Sequence, residues 1–226
     1  WVHRPGVAFR AFPLGAWSNL GFIVTGVSSH APFSFLVVDH EPNQHLLDTA
    51  QFFSRWQYET VDSEATLDYG QNDAVDGFRR VDNITDESLR KFRAAYPDEQ
   101  VTKDDIFYYV YGLLHSQTYR DTYAADLKKM LPRIPFVRDF RGFVDAGRAL
   151  SELHLGYETV EPFPLDGLYA EPSGDPYEFF AVGTKKMRFG KPTAEQKAAG
   201  ERHDRSVIAY NDRITLSGIP VEAYRY

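Results

Sequence analysis

The chain has 226 residues, 43% of them hydrophobic and 15% aromatic, a content that builds a folded globular protein rather than a disordered one. It has no cysteine, which excludes a disulfide framework, thiolate metal sites and a cysteine nucleophile. The net charge of −7 argues on its face against nucleic acid, because phosphate binding needs local Lys and Arg.

The distribution of charge qualifies the sum. Basic residues gather in 79–148 and 184–226, whereas 149–183 carries acidic residues and no Lys or Arg. Such asymmetry predicts one face unlike another. No apolar run approaches the ~20 residues that span a bilayer, and residues 1–30 lack the basic, apolar, small-residue order of a signal peptide. Trp1 in place of Met predicts a native start further upstream.

In chain order, residues 7–12, 20–28, 34–38 and 51–58 are short apolar or aromatic runs bounded by turn formers, and read as strands. Residues 60–78 are acidic and turn-rich and read as a long surface loop. A helix over 86–96 is stopped by Pro97. Thr102 followed by Asp105 predicts a capping box, and Ile106, Val110, Leu113 and Leu114 then fall on one helical face. Ser116 is the expected cap of a further helix carrying Tyr119, Tyr123, Leu127, Met130 and Leu131, ended by Pro132 and Pro135. A third helix, about 138–155, should bury Phe140, Phe143, Val144, Gly147, Leu150 and Leu153, with Gly156 closing it. Residues 177–183 and 205–210 read as strands, 183–192 as a basic ribbon or loop, and 193–203 as exposed. The order is α+β, with mixed or antiparallel strands at both ends flanking a central group of about three helices. One domain over 1–226 is expected, with sub-parts 1–78, 79–158 and 159–226.

Catalytic motifs are missing. No Gly-x-Gly-x-x-Gly follows a strand. Gly190-Lys191 fails as a phosphate loop, because Lys185 stands where its first glycine should be and Pro192 follows the lysine. There is no Gly-x-Ser-x-Gly elbow. Asp39, His40, Glu41, His45 and Asp48 invite a metal reading, but Pro42 breaks the helical order that would make them converge, and a solvated polar loop explains them. His115 and His154 read as helix-end hydrogen-bonding residues, and Asp104 and Asp105 as helix-opening acids.

Two basic elements stand out. Arg120 and Lys128 share a helical face, with Lys129 and Arg133 close behind. Lys185, Lys186, Arg188 and Lys191 form a second cluster, interrupted by Met187 and Phe189. Helices and ribbons of this kind enter grooves or clamp phosphates, and they are equally ordinary solvated faces.

Residues 102–136, with Tyr109-x-Tyr111-Gly112-x-Leu114-His115-Ser116, Tyr119-Arg120 and Pro132-Arg133-Ile134-Pro135, closely resemble the C-terminal part of type ISP restriction–modification enzymes. Residues 153–158 and 210–220 carry the same resemblance, and residues 26–28, 51–53 and Tyr58 a weaker one. In that family one polypeptide carries nuclease, helicase-like ATPase, adenine methyltransferase and specificity domains.

The resemblance implies a target-recognition segment that is itself non-catalytic. The parent's methyltransferase motif, cofactor loop, ATPase motifs and nuclease carboxylates are absent from the sequence. No cofactor is expected here; the parent's S-adenosylmethionine, ATP and Mg would bind elsewhere, and relatives are expected to continue past Tyr226. The implied partners are double-stranded DNA and the methyltransferase domain of the same polypeptide, in a prokaryotic cytoplasm. Arg120, Lys128, Lys129 and Arg133 are then the expected phosphate contacts. Lys185, Lys186, Arg188 and Lys191 are the expected base or groove contacts, with Asn211 and Arg213 behind them. Two other classes stay open: a protein-interaction module, and a stand-alone enzyme with an unrecognised site.

Overall fold

The computed structural model describes residues 10–13, 18–27, 29–43, 46–61, 74–75, 77–184 and 187–225. They form two compact units, 1–160 and 161–226. Both contain helices and antiparallel strands, the α+β class expected from the order of elements.

In the first unit, β1 (Gly21–Val24) lies between β2 (Phe35–Val38) and β3 (Gln51–Ser54), antiparallel to both. Alternate side chains of a strand point to opposite faces, and both faces here are apolar. Phe22, Val24, Phe35 and Val37 pack with the helices, while Ile23, Leu36, Val38 and Phe52 pack with Ala11 and Phe12. Residues 10–11 are helical rather than part of the strand expected over 7–12, whose first residues lie outside the described ones.

The strand expected over 51–58 is two strands. The chain leaves the first sheet at Arg55 and enters a second, in which β4 (Trp56–Thr60) and β5 (Ala74–Val75) both pair with β6 (Phe78–Asp82). The switch is fixed at Arg55, whose N–H donates to the Leu20 carbonyl at 2.6 Å. Its buried guanidinium donates to Asp82 at 2.6 and 3.2 Å and to Asp104 at 2.8 Å. β6 is hidden from pattern reading because only Phe78 of its sequence is buried.

The helices follow. In α1 (Asp86–Ala95) the Thr85 hydroxyl caps the Ser88 N–H. α2 (Lys103–His115) opens with the expected capping box, Asp105 N–H to Thr102 Oγ1 at 3.1 Å and Thr102 N–H to Asp105 Oδ2 at 3.0 Å.

The helix expected from Ser116 to Leu131 is interrupted. α3 (Gln117–Thr122) ends at Tyr123, which has non-helical dihedrals, and α4 (Ala124–Leu127) is a single turn. Thr122 and Tyr123 both have modest helix propensity, and nothing beyond them supplies a continuous buried stripe. α5 (Phe140–Leu155), capped by Asp139, crosses α2 with Gly112 against Gly147. Its buried face is Phe140, Val144, Gly147 and Ser151; Leu153, expected inside, is 52% exposed.

The second unit has β8 (Asp204–Ala209) between β7 (Arg188–Gly190) and β9 (Thr215–Ser217), all antiparallel. Residues 176–180, expected to be extended from 177 onward, form α6 (Pro176–Phe180). Asp175 caps the Tyr177 N–H and Pro176 takes the first turn, where its missing donor costs nothing, so local capping overrides the strand preference of the aromatics. Within 193–203, Thr193 and Gln196 form a capping box for exposed α7 (Ala194–Ala198).

Candidate nucleic-acid interface

The first unit shows its cations on a strap. Residues 132–137 form no helix, strand or turn. Three tyrosines hold alternate residues of this strap. Tyr119 Oη donates to the Arg133 carbonyl at 2.7 Å, Tyr109 Oη to the Pro135 carbonyl at 2.6 Å, and Tyr96 Oη to the Val137 carbonyl at 2.8 Å. Val137 N–H donates back to Tyr109 Oη at 3.0 Å. Burial pushes the Tyr109 and Tyr119 phenols above their ordinary range, so both stay protonated donors. The motif tyrosines thus belong to the scaffold, and the backbone under Arg133 is fixed.

Lys128 and Lys129, just before the strap, and Arg133 and Arg138 on or beside it, are exposed. Among the described residues none of the four has a carboxylate within ion-pair distance. Arg120 is different. Its Nη2 donates to the Phe33 carbonyl at 3.0 Å, and its charge is felt by His115. The break at Tyr123 separates the two residues that helical spacing puts together.

Behind Arg120 lies a buried polar group. Tyr111 Oη accepts from the Val37 N–H at 3.0 Å and meets His154 Nδ1 at 2.5 Å. The His115 ring lies 5.4 Å from that of His154, and its buried Nε2 has no hydrogen-bond partner. Burial, then His154 and Arg120, pull the His115 pKa down to about 4.

In the second unit, Arg188 and Lys191 are exposed, and Lys185 and Lys186 lie outside the described residues. Arg188 pairs with Ala209 at the edge of the sheet, and a register shift after Phe189 bends the strand. Sequence reading missed the neighbours just before and at the start of β8. Arg202, His203 and Arg205 line an open concavity together with Glu201 and Asp204; Arg205 lies over the Tyr224 ring and the Phe189 ring is 6.1 Å from that of His203. Arg202 carries only a faint signal, as a lone cation in the polar stretch after α7, and Arg205 as the first residue of the strand read over 205–210.

Asn211 and Arg213 are engaged by the fold. Asn211 Nδ2 donates to the Phe179 and Ala181 carbonyls, and its Oδ1 accepts from Arg213 and Ile214 N–H, each at 2.8 Å. Arg213 Nη1 donates to the Glu178 carbonyl at 2.6 Å. Together they clamp the C-terminal end of α6.

Among the described residues no group of three or more His, Asp or Glu could hold a metal ion. Asp39 and His40 pair with each other and are exposed, Asp48 accepts from Ser29 Oγ and His30 N–H, and His45 lies outside the described residues. No helix among the described residues is long and apolar enough to cross a membrane.

Comparison with known proteins matches this frame. The family model of the type ISP C-terminal specificity domain matches residues 1–226. The chain is similar to the DrdV–DNA complex solved by cryo-electron microscopy, with 32% identity and a TM-score of 0.73 over 96% of this chain and 19% of that one. It is also similar to the ATP-dependent type ISP restriction–modification enzyme LlaBIII bound to DNA, at 27% identity and TM-score 0.71, covering 97% of this chain and 13% of that one. A nuclease-deletion mutant of the type ISP enzyme LlaGI, in complex with a DNA substrate mimic, gives 32% identity and TM-score 0.64, with 97% and 16% covered. The chain therefore spans under a fifth of each of these structures' length. No curated protein sequence matches it.

Proposed function

The chain belongs to the type ISP C-terminal specificity domain family, and on that premise we propose that it reads duplex DNA on behalf of a larger restriction–modification polypeptide. The observation that carries this reading is the set of cations Lys128, Lys129 and Arg133, which have no carboxylate partner among the described residues. They stand on and beside a strap whose backbone is pinned by buried tyrosines. Exposed cations without a carboxylate partner suit phosphate oxygens, which position a protein on the duplex. Arg188 and Lys191, on or beside a bent edge strand, are the residues assigned to the groove, with Arg202 and Arg205 beside them in the role of backbone contacts. Arg120, Asn211 and Arg213 are assigned to the scaffold, because their polar atoms are engaged by main-chain carbonyls.

On this reading adenine methylation, ATP-dependent translocation and cleavage, with S-adenosylmethionine, ATP and Mg, belong to other domains of the parent polypeptide in a prokaryotic cytoplasm. The segment supplies sequence choice and no chemistry. Its protein partner is the parent's methyltransferase domain. The large exposed apolar side chains of the second unit, Phe163, Tyr169, Tyr177 and Met187, support a covered surface there.

The test is DNA binding by the 226-residue chain, followed by fluorescence anisotropy across a salt series. Replacing Lys128, Lys129 and Arg133 together with alanine should weaken binding to every duplex alike. The salt slope should fall by roughly 0.9 for each phosphate that is no longer neutralised. Unchanged affinity and slope would remove these residues from the interface. Failure of the intact chain to bind any duplex would favour a protein-interaction module instead.

A further inference from the structure

Between the short helices α3 and α4 and the start of the strap lies a cleft of about 300 Å³, at the lower end of small-molecule sites. Tyr119, Tyr123, Leu127, Met130 and Leu131 wall it, and Asp126 and Arg133 also line it. The Tyr119 and Tyr123 rings are 4.9 Å apart and tilted by 47°; Tyr119 is buried with its hydroxyl engaged by the Arg133 carbonyl, so Tyr123 is the ring open to a ligand. Tyr123 and Met130 are each about two-fifths exposed, an aromatic and a thioether left open beside Lys128, Lys129 and Arg133.

We propose that this cleft receives a nucleobase unstacked from the bound duplex, with the flanking phosphates held by Lys128, Lys129 and Arg133. The inference rests on the DNA-reading function above and goes beyond it. An open aromatic ring beside cations that lack a carboxylate partner is the combination that holds single nucleotides: the ring stacks on the base, and the charges follow the backbone. Asp126, an acceptor when ionised, would face the N–H donors on a base edge. An apolar side chain of another protein would fill the same walls but would bring no phosphate to Lys128, Lys129 and Arg133.

The probes are two duplexes of the same sequence, one fully paired and one carrying a single-nucleotide bulge, since an unpaired base is the cheapest to extrude. The 226-residue chain should bind the bulged duplex roughly tenfold or more tighter at equal salt. With 2-aminopurine as the bulged nucleotide, binding should quench its fluorescence by stacking. Tyr123→Ala and Met130→Ala should each reduce the preference and the quenching, and leave binding to the paired duplex in place. Equal affinity for both duplexes with no change in 2-aminopurine emission would overturn the base pocket while leaving duplex reading intact, and would give the cleft to a protein side chain. Tighter binding of the bulge without quenching would mean that bending alone is sensed, which also overturns it. If neither duplex binds, both readings fall.

Discussion

Gly112 and Gly147 face each other where α2 and α5 cross, and neither leaves room for a β-carbon. One built on Gly112 would overlap the Phe143 carbonyl oxygen, and one on Gly147 would overlap that of Tyr108. Both obstacles are backbone, which cannot rotate away, so the two helices can approach this closely only through glycine. Gly112→Ala or Gly147→Ala should therefore destabilise the chain by about 1–3 kcal/mol, the usual range for overpacking a core. Equilibrium denaturation measures this directly, and a stability equal to that of the parent would show that the helices can separate at no cost.

Arg55 joins three elements through Asp82 and Asp104, and only 4% of its side chain is exposed. A buried pair broken from one side leaves the other charge uncompensated. Asp82→Asn should cost about 3 kcal/mol in urea unfolding. Asp104→Asn should cost much less, because the Asp104 carboxylate is more than half exposed and water screens it. Equal losses at the two positions would contradict this ordering.

The strap supplies a graded series. Tyr119→Phe removes one hydrogen bond to the Arg133 carbonyl, and Tyr109→Phe removes two to the strap, one to the Pro135 carbonyl and one from the Val137 N–H, with a longer contact to Tyr96 Oη at 3.4 Å. The expected losses are about 1 kcal/mol for the first and about twice that for the second. If Arg133 is positioned by this bond, Tyr119→Phe should also weaken DNA binding without altering the salt slope, because the charge remains.

The histidine pair predicts an acid-side loss of stability. The His115 pKa is drawn down in the fold from 6.5 to about 4, and that of His154 is lowered too, both by burial foremost. Between those values the unfolded chain binds protons that the folded one refuses, so stability falls as pH drops from 6.5 towards 4. His115→Phe should flatten this dependence in melts recorded at about pH 7 and about pH 5, with a remainder from His154. A profile identical to that of the parent would assign the acid sensitivity to other groups.

Arg188 separates positioning from readout. Arg188→Ala should change which duplex sequence is preferred, by about 1–3 kcal/mol at one base pair, whereas Lys129→Ala should weaken all sequences together. Selection from a randomised duplex pool reads both effects. A uniform loss for Arg188→Ala would place it on phosphate.

Where the cause is local, the fold is legible in the chain itself. The capping boxes at Thr102 and Thr193 and the single caps at Thr85 and Ser116 join residues three apart. The pattern picks out the caps at Thr102 and Ser116, but Thr193 sits in a stretch that looks merely polar and escapes it. The extended reading of 177–183 fails for a local reason as well: aromatic content outweighs the cap at Asp175 in the pattern, and the cap prevails in the fold.

The cations divide the same way. Their residue types and clustering are sequence properties, but whether a guanidinium is free or engaged depends on what the fold brings to it. Arg120 meets a carbonyl 87 residues away, Arg55 meets carboxylates 27 and 49 residues away, and Asn211 meets one end of a helix 32 residues earlier. No periodicity records such distances. Composition, spacing and motif thus fix the class of fold, most helix starts and the family. Which charges remain for a partner is settled by packing, because a hydrogen bond to distant backbone forms only when both of its ends have been set in place.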